Sequence, residues 1–286
     1  MDKIFLVKAC SANWFKHVPG SLDDETGDFY TKGSGWFVTD LEGMIDWCAA
    51  EGISALAVEN FLSDRHDNYL SKARGFDHAR RVCSYARSKG VKLWLVTPRR
   101  SDGLVYRELY DQPDGFDLLT PAHVRKELPD FTGIAFKDEP IDGGVSLDVK
   151  ATGKDFIVEE IRSACVRAVS RGVDKAVLRV SPSPHFANVE FNYLAFVYFA
   201  DDASRTFDGF VRDVMAPRLG GMDVAEKYVE WARLAAKPDA IPAAVCGIAQ
   251  VVEKFTEDEV LGRWYSLAEY LSAVHFAARQ REVFAI

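Results

Sequence analysis

The chain has 286 residues, 48% of them hydrophobic, which is enough apolar material for one large domain and argues against a disordered chain. Its formal net charge of −8 argues against a surface that neutralises nucleic-acid phosphates and, more weakly, against binding to an anionic membrane. No apolar run approaches the length that spans a membrane, and the first one, Ile4–Val7, is too short for a signal-peptide core.

The five cysteines predict free thiols rather than disulfides. The five are Cys10, Cys48, Cys83, Cys165 and Cys246. They are odd in number, scattered and without Cys-x-x-Cys spacing, and four of the five lie in apolar stretches. Free thiols favour a reducing compartment. We therefore expect a cytoplasmic protein.

One pattern occurs three times along the chain: an amphipathic stretch ends in glycine, and a β-rich apolar run follows at once. The copies are Leu41 to Glu51 with Gly52 and Ile53–Val58, Asp77 to Lys89 with Gly90 and Val91–Val96, and Phe156 to Arg171 with Gly172 and Lys175–Val180. A glycine just past a helix supplies a left-handed terminating residue, and a nearly continuous apolar run is typical of a strand buried on both faces. The repetition predicts βα units and a parallel sheet.

Further strands and a helical ending complete the predicted fold. Similar runs span Ile4–Ala9 and Thr132–Phe136, and the aromatic-rich run Tyr193–Phe199 is a sixth candidate strand. The rest of the chain has helical patterns near Arg205–Val214, Val224–Ala236, Ile241–Phe255 and Glu257–Gln280. A closed barrel has eight strands, and the short stretch Ser181–Phe191 has no room for two further βα units. The sequence thus predicts an α/β fold with a TIM-like (β/α) barrel over 1–202, either incomplete or with two irregular strands. A helical C-terminal segment follows over 203–286.

Polar residues just past the strands are the candidate site residues. Long loops after strands place a site at the carboxyl-terminal face of an α/β barrel. In chain order these residues are Lys8, Ser11, Asn13 and Trp14; Glu59, Asn60 and His66; Arg99 and Arg100; Lys137, Asp138 and Glu139; and Arg179, Ser181 and His185. A strand-end acid is a catalytic candidate by position, and Glu139 is the leading one.

The fourth predicted strand carries a family resemblance. Leu128–Glu139 resembles the fourth-strand segment of the α-glucuronidase family of glycoside hydrolases, and Asp138-Glu139-Pro140 is similar to the Asn-Glu-Pro motif of clan-A glycosidases. The resemblance continues in four other segments: Ile45–Ile53, Ser88–Leu95, Asn192–Phe196 and Phe210–Arg212. It covers about two thirds of the chain and implies a TIM-barrel hydrolase of carbohydrate metabolism.

The resemblance implies that Glu139 is the general acid. The family has its remaining catalytic carboxylates on strands six and seven, for which this chain has no counterpart. Hydrolysis needs two carboxyl groups, about 5–5.5 Å apart for retention or 6.5–9.5 Å for inversion. The second would come from Glu59, Asp138 or a loop acid such as Asp24. Asp138 is the poorer choice, because adjacent side chains on a strand point to opposite faces.

The predicted ligand is an acidic or polar sugar, either a small molecule or an oligosaccharide. Arg99, Arg100 and Lys137 follow adjacent strands and would form a local positive pocket in a chain of net negative charge. The other predicted substrate-binding residues are polar or aromatic: Asn13, Trp14, Asn60 and His185. This interpretation requires no cofactor and no metal.

Two alternatives stay open. A metal-dependent sugar isomerase or epimerase could use Glu59, Glu139 and His185, although the histidines show no HxH or HxxxH spacing. A non-catalytic sugar-binding barrel could keep the fold and lack the second acid. Bound divalent metal would identify the isomerase, and two carboxylates at glycosidase spacing in one pocket would identify the hydrolase.

The final helix predicts self-association. Its apolar residues at spacings of three and four share one face: Leu267, Tyr270, Leu271 and Val274. Trp264 and Tyr265 turn toward other faces, so packing on the barrel uses only part of the apolar surface. The α-glucuronidases associate through C-terminal helices, so the resemblance also implies a two-fold homodimer.

Overall fold

A computed structural model describes residues 1–8, 41–59, 72–97, 104–108, 116–136, 139–149, 151, 155–180 and 187–284. These residues belong to two compact units. The first unit contains Met1–Leu147 and Arg171–Ser183, and the second contains Asp148–Ser170 and Pro184–Ile286. The chain therefore leaves the first unit for one helix, returns to it for one strand, and leaves it again.

The first unit is built on a parallel sheet. In chain order its described elements are β1 (Asp2–Lys8), α1 (Leu41–Ala50), β2 (Ala55–Glu59), α2 (Lys72–Ser88), β3 (Lys92–Thr97), β4 (Val105–Glu108), β5 (Phe116–Leu119), α3 (Pro121–Glu127), β6 (Gly133–Phe136), β7 (Val145–Ser146) and β8 (Lys175–Val180). The order across the sheet is β6-β3-β2-β1-β8-β7, and every neighbouring pair is parallel. β4 and β5 form a separate antiparallel hairpin.

The predicted TIM-like barrel is wrong, because the described sheet is not closed. Its two edges are β6 and β7, which do not pair with each other. The sheet is instead a curled half-barrel within an α/β fold. β8 lies beside β1, as the last strand of a barrel does. Among the described strands, only the short strand β7 lies beyond β8, and it does not reach β6 to close the sheet.

Two short-range backbone hydrogen bonds follow β6, where a barrel would continue. The backbone N–H of Glu139 donates to the Phe136 carbonyl at 2.9 Å, and that of Gly144 donates to the Ile141 carbonyl at 2.8 Å. Asp142 has a φ of 51° and the glycine after it a φ of 73°, which is the geometry of a type I′ turn and favours an Asp-Gly pair. The chain turns back too soon to form another βα unit.

Asp142 anchors this turn to the first residues of β3 and β8. Lys175 Nζ donates to Asp142 Oδ2 and to its carbonyl, both at 3.0 Å, and Lys92 Nζ donates to Oδ2 at 3.3 Å. Burial raises the pKa of Asp142, but the hydrogen bonds from Lys175 and Lys92 outweigh it and hold the pKa below its usual value. The turn is therefore fixed at the amino ends of the sheet by charge-assisted hydrogen bonds.

The sheet is buried on both faces, and successive residues of a strand point to opposite ones. One of them, called the inner face here, carries an apolar cluster that also includes Ile141 of the turn: Ile4, Leu6, Ala55, Ala57, Val96, Ala135 and Val177. On the other face, Phe5 stacks on Trp47 of α1 with ring centroids 5.7 Å apart. This double burial explains why the strands are nearly continuous apolar runs.

The predicted glycine terminators are confirmed. Their φ angles are positive, at 69° for Gly52, 74° for Gly90 and 72° for Gly172. After α1, the Ile53 N–H donates to the Cys48 carbonyl at 2.8 Å, which is the long hydrogen bond of a Schellman motif. A strand follows each of these glycines, as the sequence predicts.

The second unit is helical within the described residues. Its elements are α4 (Val158–Ser170), α5 (Ala187–Asp201), α6 (Phe207–Phe210), a π-helical turn (Val211–Met215), α7 (Ala216–Leu219), α8 (Met222–Ala232), α9 (Ile241–Val252) and α10 (Asp258–Phe284). The helices predicted after residue 203 are thereby confirmed. None of the described helices is both long enough and apolar enough to cross a membrane.

The strand predicted at Tyr193–Phe199 is wrong, because this run lies within α5. The helix is buried on nearly all sides, and an apolar run without helical periodicity cannot be told from a buried strand. Asn192 is buried in the same helix; its side chain accepts from the Ile157 N–H at 2.9 Å and donates to the Asp155 carbonyl at 2.7 Å. These bonds fix the chain where it enters α4.

Candidate site at the carboxyl ends of the strands

A partly buried ion pair joins β2 and β8 near their carboxyl ends. Glu59 is the last residue of β2 and Arg179 the penultimate residue of β8, and Glu59 Oε1 lies 2.8 Å from Arg179 Nη1. The Glu59 side chain is 3% exposed, whereas that of Arg179 is 45% exposed. A carboxylate is rarely buried without a counter-charge, because it loses its hydration. Arg179 supplies that counter-charge.

The register of β1 brings the two residues together. β1 lies between β2 and β8, with Lys8 opposite Glu59 and Leu6 opposite Arg179. Leu6 and Lys8 are two positions apart on one strand, so Glu59 and Arg179 project from the same side, the inner face. Ligands of open α/β sheets bind beyond the carboxyl ends of the strands. The ion pair therefore lies where a ligand site is expected.

Trp94 of β3 lines the inner face, with β2 and β1 between its strand and that of Arg179. It packs against the apolar cluster of that face and pairs in register with Ala57 and Gly133. A Cβ at Gly133 would lie 2.5 Å from the indole, so the glycine makes room for the ring. The Trp94 indole N–H is buried and has no hydrogen-bond partner among the described residues. The inner face thus combines an aromatic ring, an acceptor and a guanidinium.

Glu139 lies three residues beyond Phe136, the last residue of β6. Its backbone bonds to Phe136, and its side chain is exposed rather than buried against apolar residues. The strand β3 separates β6 from β2, so the backbones of Phe136 and Glu59 are about 10 Å apart at the usual strand spacing. Glu139 therefore follows a strand that is separated from the strand of Glu59 by β3 alone.

The other predicted site residues lie outside the described residues. They are the catalytic candidate Asp138 and the substrate-binding candidates Lys137, Arg99, Arg100, Asn13, Trp14, Asn60 and His185. Each follows β1, β2, β3, β6 or β8 in the chain. Of the named catalytic and binding set, Glu59 and Glu139 are the described members.

Metal-binding side chains are not clustered in the described part of the chain. It contains no group of three or more His, Cys, Asp or Glu residues able to hold an ion. The isomerase alternative depends on Glu59, Glu139 and His185, the last of which lies outside that part.

Arg179 is the residue whose importance the sequence analysis missed. It was one of several polar residues near strand ends, without a role of its own. The signal was available: Lys175–Val180 is a buried run in which Arg179 is the charged residue between Leu178 and Val180. The register places Arg179 on the same face as Glu59, and Glu59 is the buried charge that requires a partner.

No protein-family model, no curated protein and no solved structure matches this chain. The α-glucuronidase resemblance therefore rests on the segments quoted from the sequence.

Proposed function

We propose that this protein is carbohydrate-active and resembles a glycoside hydrolase, with an acidic or polar sugar bound at the carboxyl ends of the parallel strands. The observation that carries the proposal is the Glu59–Arg179 pair on the inner face. Carboxylate oxygens accept hydrogen bonds and guanidinium N–H groups donate them. The pair can therefore accept a hydrogen bond from one sugar hydroxyl group and donate one to another. Trp94 on the same face adds apolar surface for a ring.

In this proposal Glu139 is the general acid and Glu59 the second carboxylate. Of the three residues considered for the second role, Glu59 alone is described, and it lies on the inner face beside an arginine.

A second candidate is a non-catalytic sugar-binding protein, and the exposure of Glu139 favours it. General acids of glycosidases are commonly held in apolar pockets that keep them protonated near neutral pH. Such a protein would keep the Glu59–Arg179 pair for recognition and release no product.

We also place the protein in the cytoplasm, a proposal that the thiols support. Cys48, Cys83 and Cys165 are buried and free, and burial raises the pKa of each to about 12. Buried thiols with a raised pKa are protonated and unreactive, as suits a packing role in a reducing compartment.

Substrates with good and poor leaving groups distinguish the roles of the two carboxylates in hydrolysis. The full chain is assayed with a panel of 4-nitrophenyl and methyl glycosides, including glucuronides. Glu139→Gln should lower turnover of the methyl glycoside by about 100-fold or more and that of the nitrophenyl glycoside much less, because a poor leaving group needs the acid most. Glu59→Gln should lower both.

The control variant is Glu42→Gln, which removes the half-buried partner of Arg81 on α1 and should retain full activity. Full activity of Glu139→Gln on the methyl glycoside would remove Glu139 from the mechanism. Sugar binding without hydrolysis of any substrate would favour the binding protein, and the lack of both would contradict the proposed function.

A further inference from the structure

Arg179 is a charged residue beside apolar neighbours near the carboxyl ends of the inner face. On that face its neighbour along β8 is Val177, and its neighbour across β1 is Leu6, both buried. The Arg179 side chain itself is 45% exposed, so water hydrates the guanidinium and the contact with Glu59 leaves part of it accessible.

Among the described residues, the strand that borders β8 ends before it reaches Arg179. Strand β7 borders β8 there, and its last ladder pair joins Ser146 to Val177, two residues before Arg179. The guanidinium therefore lies where the neighbouring strand has ended and the side chain can be reached from solvent.

Glu59 restricts the guanidinium without covering it. The closest contact joins one nitrogen, Nη1, to Oε1 of the buried carboxylate. A guanidinium carries five N–H donors in a rigid planar fork, so a second edge can bind another oxyanion with two parallel hydrogen bonds. A side chain held in this way loses less conformational freedom when a ligand binds.

We propose that Arg179 is a specificity-determining residue, which binds the carboxylate of a sugar acid with its exposed edge while Glu59 positions its guanidinium. The inference rests on the proposed sugar site and names the residue that selects the acidic ligand. Arg179 does so from within the sheet, whereas Arg99, Arg100 and Lys137 follow strand ends.

Calorimetric titration of the full chain with glucuronate and glucose tests this assignment. Arg179→Lys keeps the charge but removes the planar fork. We expect it to weaken glucuronate binding about tenfold more than glucose binding, because lysine keeps a donor for hydroxyl groups but loses the bidentate fork that a carboxylate uses. Arg81→Lys is the matched control, since Arg81 pairs with Glu42 at 3.0 Å on the helical side of the same unit; it should change neither affinity.

Chemical modification of the wild-type chain provides a second readout that needs no variant. Glucuronate should protect Arg179 from phenylglyoxal, measured by peptide mass spectrometry, and glucose should protect it less. Unchanged glucuronate affinity in Arg179→Lys, or no protection of Arg179 by bound glucuronate, overturns the assignment while the sugar site stands. A wild-type chain that binds neither sugar overturns the proposed function and this inference together.

Discussion

Charged residues occupy the two ends of the inner face, with apolar side chains between them. At the carboxyl ends Glu59 pairs with Arg179, and at the amino ends Asp142 binds Lys92 and Lys175. The first pair joins a buried acid to an exposed arginine, which leaves donors accessible to a ligand. The second group has its acceptor between two lysines, which suits a structural anchor.

The anchor predicts a pH-dependent loss of stability in Asp142→Asn. Asparagine tolerates the left-handed backbone, so the substitution removes charge and leaves the turn type unchanged. Because the folded pKa of Asp142 is lowered, its stabilisation is present above the unfolded pKa of about 3.9 and is lost as pH falls through the folded pKa. In urea unfolding at pH 7, the free energy of unfolding of Asp142→Asn should be about 1 kcal/mol lower than that of the wild type. This difference should disappear below pH 4.

Asp46→Asn is the control for this comparison. Asp46 pairs with Lys89 on the exposed surface, where ion pairs are screened, so this variant should lose less stability than Asp142→Asn. If the difference in free energy of unfolding between Asp142→Asn and the wild type stayed constant from pH 7 to pH 3, the charge of Asp142 would make no contribution to stability.

The helices and strands that could be predicted from the sequence are those marked by a pattern within the segment itself. The glycines after α1, α2 and α4 mark both a helix end and the strand that follows, so these units could be located from sequence. The helix α3 was missed, although Thr120 accepts from the His123 N–H as an N-cap and Pro121 is the first helical residue. The hairpin β4–β5 was missed as well, because strand pairing across a loop leaves little trace in a single sequence.

The exposed residues of helix α10 indicate which of its sides is available for the predicted self-association. The predicted stripe is mainly core: Leu267, Tyr270 and Leu271 are buried. Two aromatic side chains on α10 are exposed instead, Tyr265 at 58% and Phe276 at 63%. They are about three helical turns apart and therefore lie on the same side of the helix. We propose that this side, which carries Tyr265, one of the residues predicted to turn away from the stripe, forms the contact of a two-fold dimer.

Light scattering measures this association. The wild type should have twice the 31.9 kDa mass of one chain at micromolar concentration, and the double variant Tyr265→Ser, Phe276→Ser should have the mass of one. Met222→Ser, which removes an exposed apolar side chain on α8, should leave the dimer intact. A wild-type mass of 31.9 kDa that does not rise on concentrating would show that α10 forms no interface.

For the whole molecule, strand content could be predicted but closure could not. Whether a parallel sheet becomes a barrel depends on pairing between its first and last strands, and no local pattern encodes that contact. The Asp142-Gly143 pair was the available clue, since it favours a tight turn where a barrel would need a longer connection. The same limit applied to the site: Glu59 was identified by its place after a strand, whereas its pairing with Arg179 depends on the register across β1.

The central claim is that a sugar binds on the inner face at the carboxyl ends of the strands. A crystal structure of the wild-type chain soaked with glucuronate tests it most directly. We predict electron density for the sugar with its carboxylate within about 3 Å of Arg179 nitrogens and its hydroxyl groups near Glu59. Density only at other surfaces, or empty carboxyl ends at a concentration where calorimetry detects binding, would contradict the claim.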